Sequence, residues 1–339
     1  MSARPPAVHT TGGGRRAIVA ALAALLAALL GAAACGGDPA RPDDGAGVQP
    51  LPPTVPAGPY VPGTSYTGAG GYIEYLAGDA PVILAAAHGG GLTPPEMAER
   101  GCGVTVRDLN TRELARAMQA SYLARTGRRP HVVLNHLARS RLDANRDSAE
   151  AICGDPRALV AWREWHAFLG VARAAVVRDG GRGWFMDLHG HAHPTPQLEL
   201  GYLLANAGLA LSDAGLDAAP AHERLSSIRT LGEQDAEHGF AELLRGPASL
   251  GALYAAEGYP AVPSPATPGP GVEPYFSGGE NTQRYGCADG GRLCGVQLEA
   301  HYAGVRDTDA NRAAFAAATA RVLDRYLAAH WSLRLTPAP

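Results

Sequence analysis

The stretch Trp184-Phe185-Met186-Asp187-Leu188-His189-Gly190-His191-Ala192-His193 begins as an apolar run and ends in three histidines at alternate positions. Its aromatic content and flanking glycines favour a strand over a helix, and in a strand residues two apart share one face. Similar short apolar runs occupy 72–75, 82–87, 131–137, 198–204 and 296–302. Longer helical patterns lie between them. Asn110 with Glu113 forms a candidate capping box for a helix through Arg125, and Asp155-Pro156 opens another that reaches about Arg178. An Ala-rich amphipathic segment from Thr308 to Ala329 closes the pattern, while Ala261–Pro274 is Pro-rich and predicts a surface loop. Strands alternating with helices imply an α/β fold: a mixed, mostly parallel sheet with helices on both faces. Sheets of this type place ligands beyond the carboxyl ends of their strands. His88 and His189 each follow an apolar run directly, so both should emerge on that rim.

Around this core the chain of 339 residues is divided unevenly. Arg15-Arg16, the apolar run Ala17–Leu30 and the small residues up to Ala34 describe an export signal over residues 1–34. Cys35 directly after Ala34 resembles the lipid-accepting cysteine of a bacterial lipoprotein. Residues 35–62 are rich in Gly, Pro, Asp and Ala and predict a flexible tether, leaving 63–335 as a single domain. The expected location is the outer face of the cytoplasmic membrane or the cell envelope, with the lipid on Cys35 as the membrane contact and plain secretion as the alternative. A net charge of −3 without basic runs argues against nucleic acid as a partner. Four further cysteines, an even number, predict disulfides in an exported protein: Cys287 with Cys294 across a Gly-rich turn, and Cys102 with Cys153.

Candidate chemistry clusters at the strand ends. A catalytic zinc takes three protein ligands and keeps one position for water. His88, followed by Gly89-Gly90-Gly91, together with Glu96 and His189, supplies two nitrogens and a carboxylate. Glu99 competes with Glu96, and His191 with His189; Asp187 is placed to support His189 from behind. Asn145-Arg146 offers an amide and a guanidinium fork for a substrate carboxylate, and Arg139 and Arg141 offer donors that polarise a carbonyl. Glu299 lies in the apolar run Val296-Gln297-Leu298-Glu299-Ala300, where a carboxylate is costly without a partner or a task. Beside a metal-bound water it has the task of general base.

Taken in order, His88-Gly89-Gly90-Gly91 with a downstream acid, Asp143-Ala144-Asn145-Arg146, Asp187-Leu188-His189-Gly190-His191, and Ser277-Gly278-Gly279 leading to Gln297-Leu298-Glu299 resemble the N-formylglutamate amidohydrolase family. That family is similar in fold and site plan to the zinc carboxypeptidases. The resemblance spans about Val82 to Tyr302. It implies one zinc at His88, Glu96 and His189, a carboxylate clamp at Arg146 with Asn145, and Glu299 as general base. It also implies an amide substrate bearing a carboxylate, such as an acylated amino acid. γ-Glutamyl or cell-wall peptides are alternative substrates, and a lipid-anchored binding protein without catalysis is the rival. In the carboxypeptidase pattern a glutamate follows the first histidine by three residues; here that position is Gly91.

Overall fold

The computed structural model describes residues 55–335; the expected signal segment, Cys35 and the tether as far as residue 54 lie outside the described residues. Eight strands form one sheet: β1 Ser65–Thr67, β2 Ile73–Leu76, β3 Val82–Ala86, β4 His131–Asn135, β5 Gly183–Gly190, β6 Leu198–Gly201, β7 Ala261–Val262 and β8 Leu293–Ala300. Their order is β1-β2-β4-β3-β5-β8-β6-β7. The four central strands β4, β3, β5 and β8 run parallel. Antiparallel pairs at β1–β2, β2–β4 and β8–β6 make the sheet mixed, as expected.

Period-two alternation decides what each face buries. Val82, Leu84, Met186, Leu188, Val296 and Leu298 face helices α1 (Thr111–Thr126) and α4 (Asp309–Trp331), packing with Leu114, Met118, Phe315, Leu323 and Tyr326. Ile83, Ala85, Phe185 and Leu293 face the opposite way, against Trp165, Phe168 and Leu169 of α2 (Pro156–Gly180). Each fully buried side chain of this size stabilises the fold by about 1.5–3 kcal/mol. On this second face the apolar pattern stops abruptly toward the carboxyl ends. Asp187, His189, Gln297, Glu299 and Glu199 are all buried there, and that is where the site lies.

The helix ends follow the sequence reading in part. Asp155 caps α2 by accepting from the Arg157 N–H, with Pro156 in the first turn. Asn110 does not close a capping box: it is left-handed (φ 64°) with no side-chain cap, and its amide donates to the Arg306 carbonyl instead. Within the expected Pro-rich loop, Ala261–Val262 form β7, parallel to β6. Strand β1 and the short helical turns between residues 206 and 256 were not anticipated from the sequence. The Tyr60 ring packs 4.9 Å from Tyr66 and 5.4 Å from Tyr75. Both anticipated cysteine pairs form, with Cα separations of 6.1 Å for Cys102–Cys153 and 4.5 Å for Cys287–Cys294. No described helix is long and apolar enough to cross a membrane.

Candidate metal centre

His88 leaves the end of β3 and His189 sits one residue before the end of β5, on the rim expected for them. Asp108, just before α1, reaches the same point. Its backbone N–H donates to the His88 carbonyl, and its Oδ2 accepts from the Gly190 N–H at 3.2 Å. The three side chains converge: His88 Nδ1 lies 3.0 Å from His189 Nδ1, and Asp108 Oδ2 lies 3.3 Å and 3.2 Å from these nitrogens. All three residues are buried.

What the other ring nitrogens meet decides where the protons are. His88 Nε2 lies 2.6 Å from Asp143 Oδ1, so it is the N–H and donates to that carboxylate. His189 Nε2 lies 3.0 Å from Asp187 Oδ2 and 3.2 Å from the Asn145 amide nitrogen. The two contacts compete: the Asn145 amide can only donate to Nε2, whereas the close Asp187 carboxylate, whose Oδ2 makes no well-directed hydrogen bond, favours a proton there. With the proton on Nε2, both Nδ1 atoms can present lone pairs to a cation held between them and the Asp108 carboxylate. Such contacts are repulsive when empty, and they are what a cation needs. Zinc bonds of about 2.0–2.1 Å in a tetrahedron separate the ligands by about 3.3–3.4 Å, so the donor set fits. Carboxylates behind both histidines match the usual support of metal-bound imidazole.

The electrostatics show how strongly this centre attracts positive charge. Burial raises the Asp108 and Asp143 carboxyls, yet the adjacent histidines outweigh it and hold both below the usual carboxylate range. Burial lowers His189, but Asp187 and Asp108 raise it well above its ordinary value. Glu299 is pushed up to about 8, mainly by burial; His189 pulls it down, while Asp108, Glu199 and Asp187 push it further up.

Glu299 pairs in register with His189 on one side and Glu199 on the other, so the three share one face. Its Oε1 accepts from the Gln297 amide at 2.9 Å, and its Oε2 has no partner. Asn145 joins this row from outside the sheet. Its Oδ1 accepts from the Asn281 N–H in α3 (Glu280–Tyr285), and its amide faces His189 and Gln297. Gly279 makes room for it, because a Cβ there would lie 2.5 Å from the Asn145 amide nitrogen. Arg139 closes the back of the centre: its Nε donates to Asp143 Oδ2 at 2.9 Å, and one terminal nitrogen lies 3.8 Å from Asp108 Oδ1.

Glu96 is not in this group. No helix forms at Pro94-Pro95, and the exposed carboxylate accepts instead from the Tyr72 hydroxyl. Asp108 stands at the position expected of Glu96. Glu99 is exposed and pairs with Arg141 at 3.1 Å, which turns both away from the alternatives read for them. Arg146 lies at the surface, 3.5 Å from Glu150, with one nitrogen donating to the Asn145 carbonyl. The glycines after His88 serve chain packing, since a Cβ on Gly90 would meet the Leu137 carbonyl at 2.2 Å.

His191 and His193 form a second cluster with Glu199. His191 Nε2 donates to the Gln197 carbonyl (2.8 Å), and its Nδ1 accepts from the His193 backbone N–H (3.2 Å). His193 Nδ1 donates to Glu199 Oε1 at 2.6 Å, and Glu199 Oε2 accepts from the Phe276 N–H at 2.8 Å. His191 is therefore a keystone of the strand end and not a ligand of the first centre.

No protein-family model and no curated protein matches the chain. Among solved structures it is similar to the gene product Atu2144 from Agrobacterium tumefaciens, at 14% identity and a TM-score of 0.44, over 76% of this chain and 94% of that one. It is also similar to the N-formylglutamate amidohydrolase from Ralstonia eutropha JMP134, at 13% identity and a TM-score of 0.43, over 77% of this chain and 98% of that one.

Proposed function

We propose that this protein is a zinc-dependent amidohydrolase that cleaves an amide bond near a carboxylate, of the kind found in acylated amino acids. The supporting observation is the convergence of three lone-pair donors, His88, Asp108 and His189, beside a buried carboxylate with one unpartnered oxygen, Glu299. A binding protein has no use for an unpartnered carboxylate next to a cation, whereas a hydrolase does. When bound, zinc supplies Lewis acidity to the scissile carbonyl and acidifies water.

The chain's own groups do the rest. Glu299 takes the proton of the attacking water at Oε2 and passes it to the leaving nitrogen. Gln297 holds the opposite oxygen, which fixes the plane of the carboxylate. Asp143 and Asp187 keep protons on the outer nitrogens of His88 and His189, so that the inner ones remain donors. Arg139 offsets the charge of Asp143 and Asp108 from behind and contributes a cationic field at the carbonyl. Arg146, half-buried with one loose ion pair, is the group available to hold the substrate carboxylate. Arg141, tied to Glu99, is assigned no contact with substrate in this reading. Export and a lipid anchor on Cys35 remain part of the proposal; two disulfides suit such a location.

Glu299→Gln tests the reading, because it keeps size and hydrogen bonding but removes the base. Hydrolysis of N-acyl amino acids by the zinc-loaded variant should fall by about 10²–10⁴-fold with metal content intact. Turnover at the parental rate would overturn the mechanism.

A further inference from the structure

The strands that carry the metal centre at their carboxyl ends have two arginines at the other end. Arg182 and Arg292 come immediately before β5 and β8, where Gly183 pairs with Leu293 and the Gly183 N–H donates to the Arg292 carbonyl at 3.0 Å. Neighbouring strands lie about 4.8 Å apart, so the two cations start from adjacent points. Alternation along each strand sets their direction. Each comes two residues before a buried side chain on the α4 side of the sheet, Trp184 or Cys294, and those two are themselves paired in register. Both arginines accordingly meet the last turn of α4 and the short helix Arg229–Gln234.

A cavity of about 300 Å³ lies there, lined by Arg182, Arg292, Thr230, Gln234 and Trp331. Among the described residues, neither guanidinium has an ion-pair or hydrogen-bond partner; Arg182 lies 5.6 Å from the centroid of the Trp331 ring. The acids nearest in sequence are taken by other arginines, Asp179 by Arg178, Asp289 by Arg173 and Glu233 by Arg229. Thr230 is 6% exposed, and its hydroxyl is buried without a partner. Its N–H donates to Cys287 Sγ at 3.2 Å, which fixes it against the Cys287–Cys294 disulfide. The Trp331 indole N–H donates to the Gln234 amide oxygen at 2.9 Å, which leaves the Gln234 NH2 group as a further donor. Like charges facing one space repel, and a buried hydroxyl with no partner is costly. An anion in the cavity would relieve both. A cation near a helix C-terminus offsets the helix dipole; that accounts for Arg182 beside the end of α2, but for neither Arg292 nor the hydroxyl.

We infer that this cavity is a second ligand site, separate from the metal centre, and that it takes a phosphate group. Two guanidinium forks, a hydroxyl and an amide offer donors on several sides. A tetrahedral oxyanion meets them with oxygens on several sides, and a planar carboxylate does not. The volume is at the small end of ligand sites, which run from roughly 300 to 1,000 Å³, so a phosphate fits with room for part of the molecule that carries it.

Inorganic phosphate titrated into the whole protein at fixed ionic strength should bind, and it should change the tryptophan emission because Trp331 lines the cavity. Arg182→Gln and Arg292→Gln should each weaken that binding by about tenfold or more in calorimetry. Arg146→Gln and removal of metal by a chelator should leave it unchanged. If phosphate binding were lost with Arg146 or with the metal, and kept in the other two variants, phosphate would belong to the metal centre and the inference would be overturned. Acetate binding as tightly as phosphate, or no binding of any phosphate-bearing probe, would overturn it as well. Glycerol 3-phosphate and vesicles of phosphatidylglycerol in phosphatidylcholine distinguish the sources of the group. Binding of the ester and not of the vesicles assigns the site to a small phosphorylated molecule. Binding of the vesicles alone, lost in both arginine variants, assigns it to a lipid headgroup.

Discussion

Two clusters built from histidine and carboxylate lie side by side on this sheet, and they have opposite proton arrangements. In the His88–Asp108–His189 group the outer nitrogens meet carboxylates, which leaves the inner nitrogens and the Asp108 oxygen turned toward one point as donors for a cation. In the His191–His193–Glu199 group the hydrogen bonds are already made: a ring N–H to a carbonyl, a backbone N–H to a ring, a ring N–H to a carboxylate. A third group, Asp235 with His238 and His330, is of the second kind. His330 uses both nitrogens, at 2.8 Å to Asp235 and 3.1 Å to the Ala248 carbonyl. Residue type and spacing are therefore poor guides to metal binding. The atom behind each imidazole decides whether its front is a donor to a cation or a hydrogen bond already made.

The sharpest break between the clusters is metal content. Asp108→Ala or His189→Ala should reduce bound zinc from about one per chain to near zero by elemental analysis, whereas His193→Ala should leave it unchanged. Equal loss in all three would mean that the clusters are not distinct. The carboxylates behind the ligands should matter less but measurably: Asp143→Asn or Asp187→Asn should weaken zinc affinity by about 10–100-fold, read by chelator competition. Unchanged affinity would mean that they do not set the tautomers.

The second cluster should report on structure. Glu199→Gln, which weakens a buried charge-assisted bond, should cost about 1–3 kcal/mol in denaturant unfolding and increase proteolysis near Phe276. Full zinc occupancy should remain.

The smallest effect concerns two buried histidines whose ring hydrogen bonds go to tyrosine hydroxyls. Burial lowers His131 to about 4, and burial with the nearby Arg284 lowers His166 to about 3. Both lie below the unfolded value near ~6.5, so the unfolded chain binds more protons in between. Stability should decline as pH falls from about 6.5 toward 3–4, and His166→Gln should flatten part of that slope in chemical denaturation. A slope of the opposite sign would contradict the burial.

Much of this was legible from period and position. Asp187-Leu188-His189 and Gln297-Leu298-Glu299 interrupt apolar strands with polar residues on one face, and the histidines stand where parallel strands end. The same signal was present in Gln197-Leu198-Glu199-Leu200 and would have identified Glu199, which was not singled out. Asp108 left no comparable trace. It comes twenty residues after His88, at the end of an irregular segment, and it resembles any acid that precedes a helix. Glu96 follows two prolines that look like a helix start close to His88, but proximity along the chain does not determine where a loop turns back. Asn110 was read as a helix cap when the Arg306 carbonyl had the stronger claim on its amide. In each case a tertiary partner far along the chain outcompeted a local preference.

The register of β5, β8 and β6 has a consequence for how sequences of this kind can diverge. Because His189, Glu299 and Glu199 are aligned across three strands, a single-residue insertion before any of them within its strand would turn that residue to the opposite face and bury it among leucines. Loops have no such parity. The segment between His88 and Asp108 can lengthen or shorten by any number of residues, provided that the acid still returns to the rim. Drift should therefore accumulate in the loops as changes of length and in the strands only as changes of side chain, which leaves a charged row on a sheet whose surroundings no longer resemble those of its relatives.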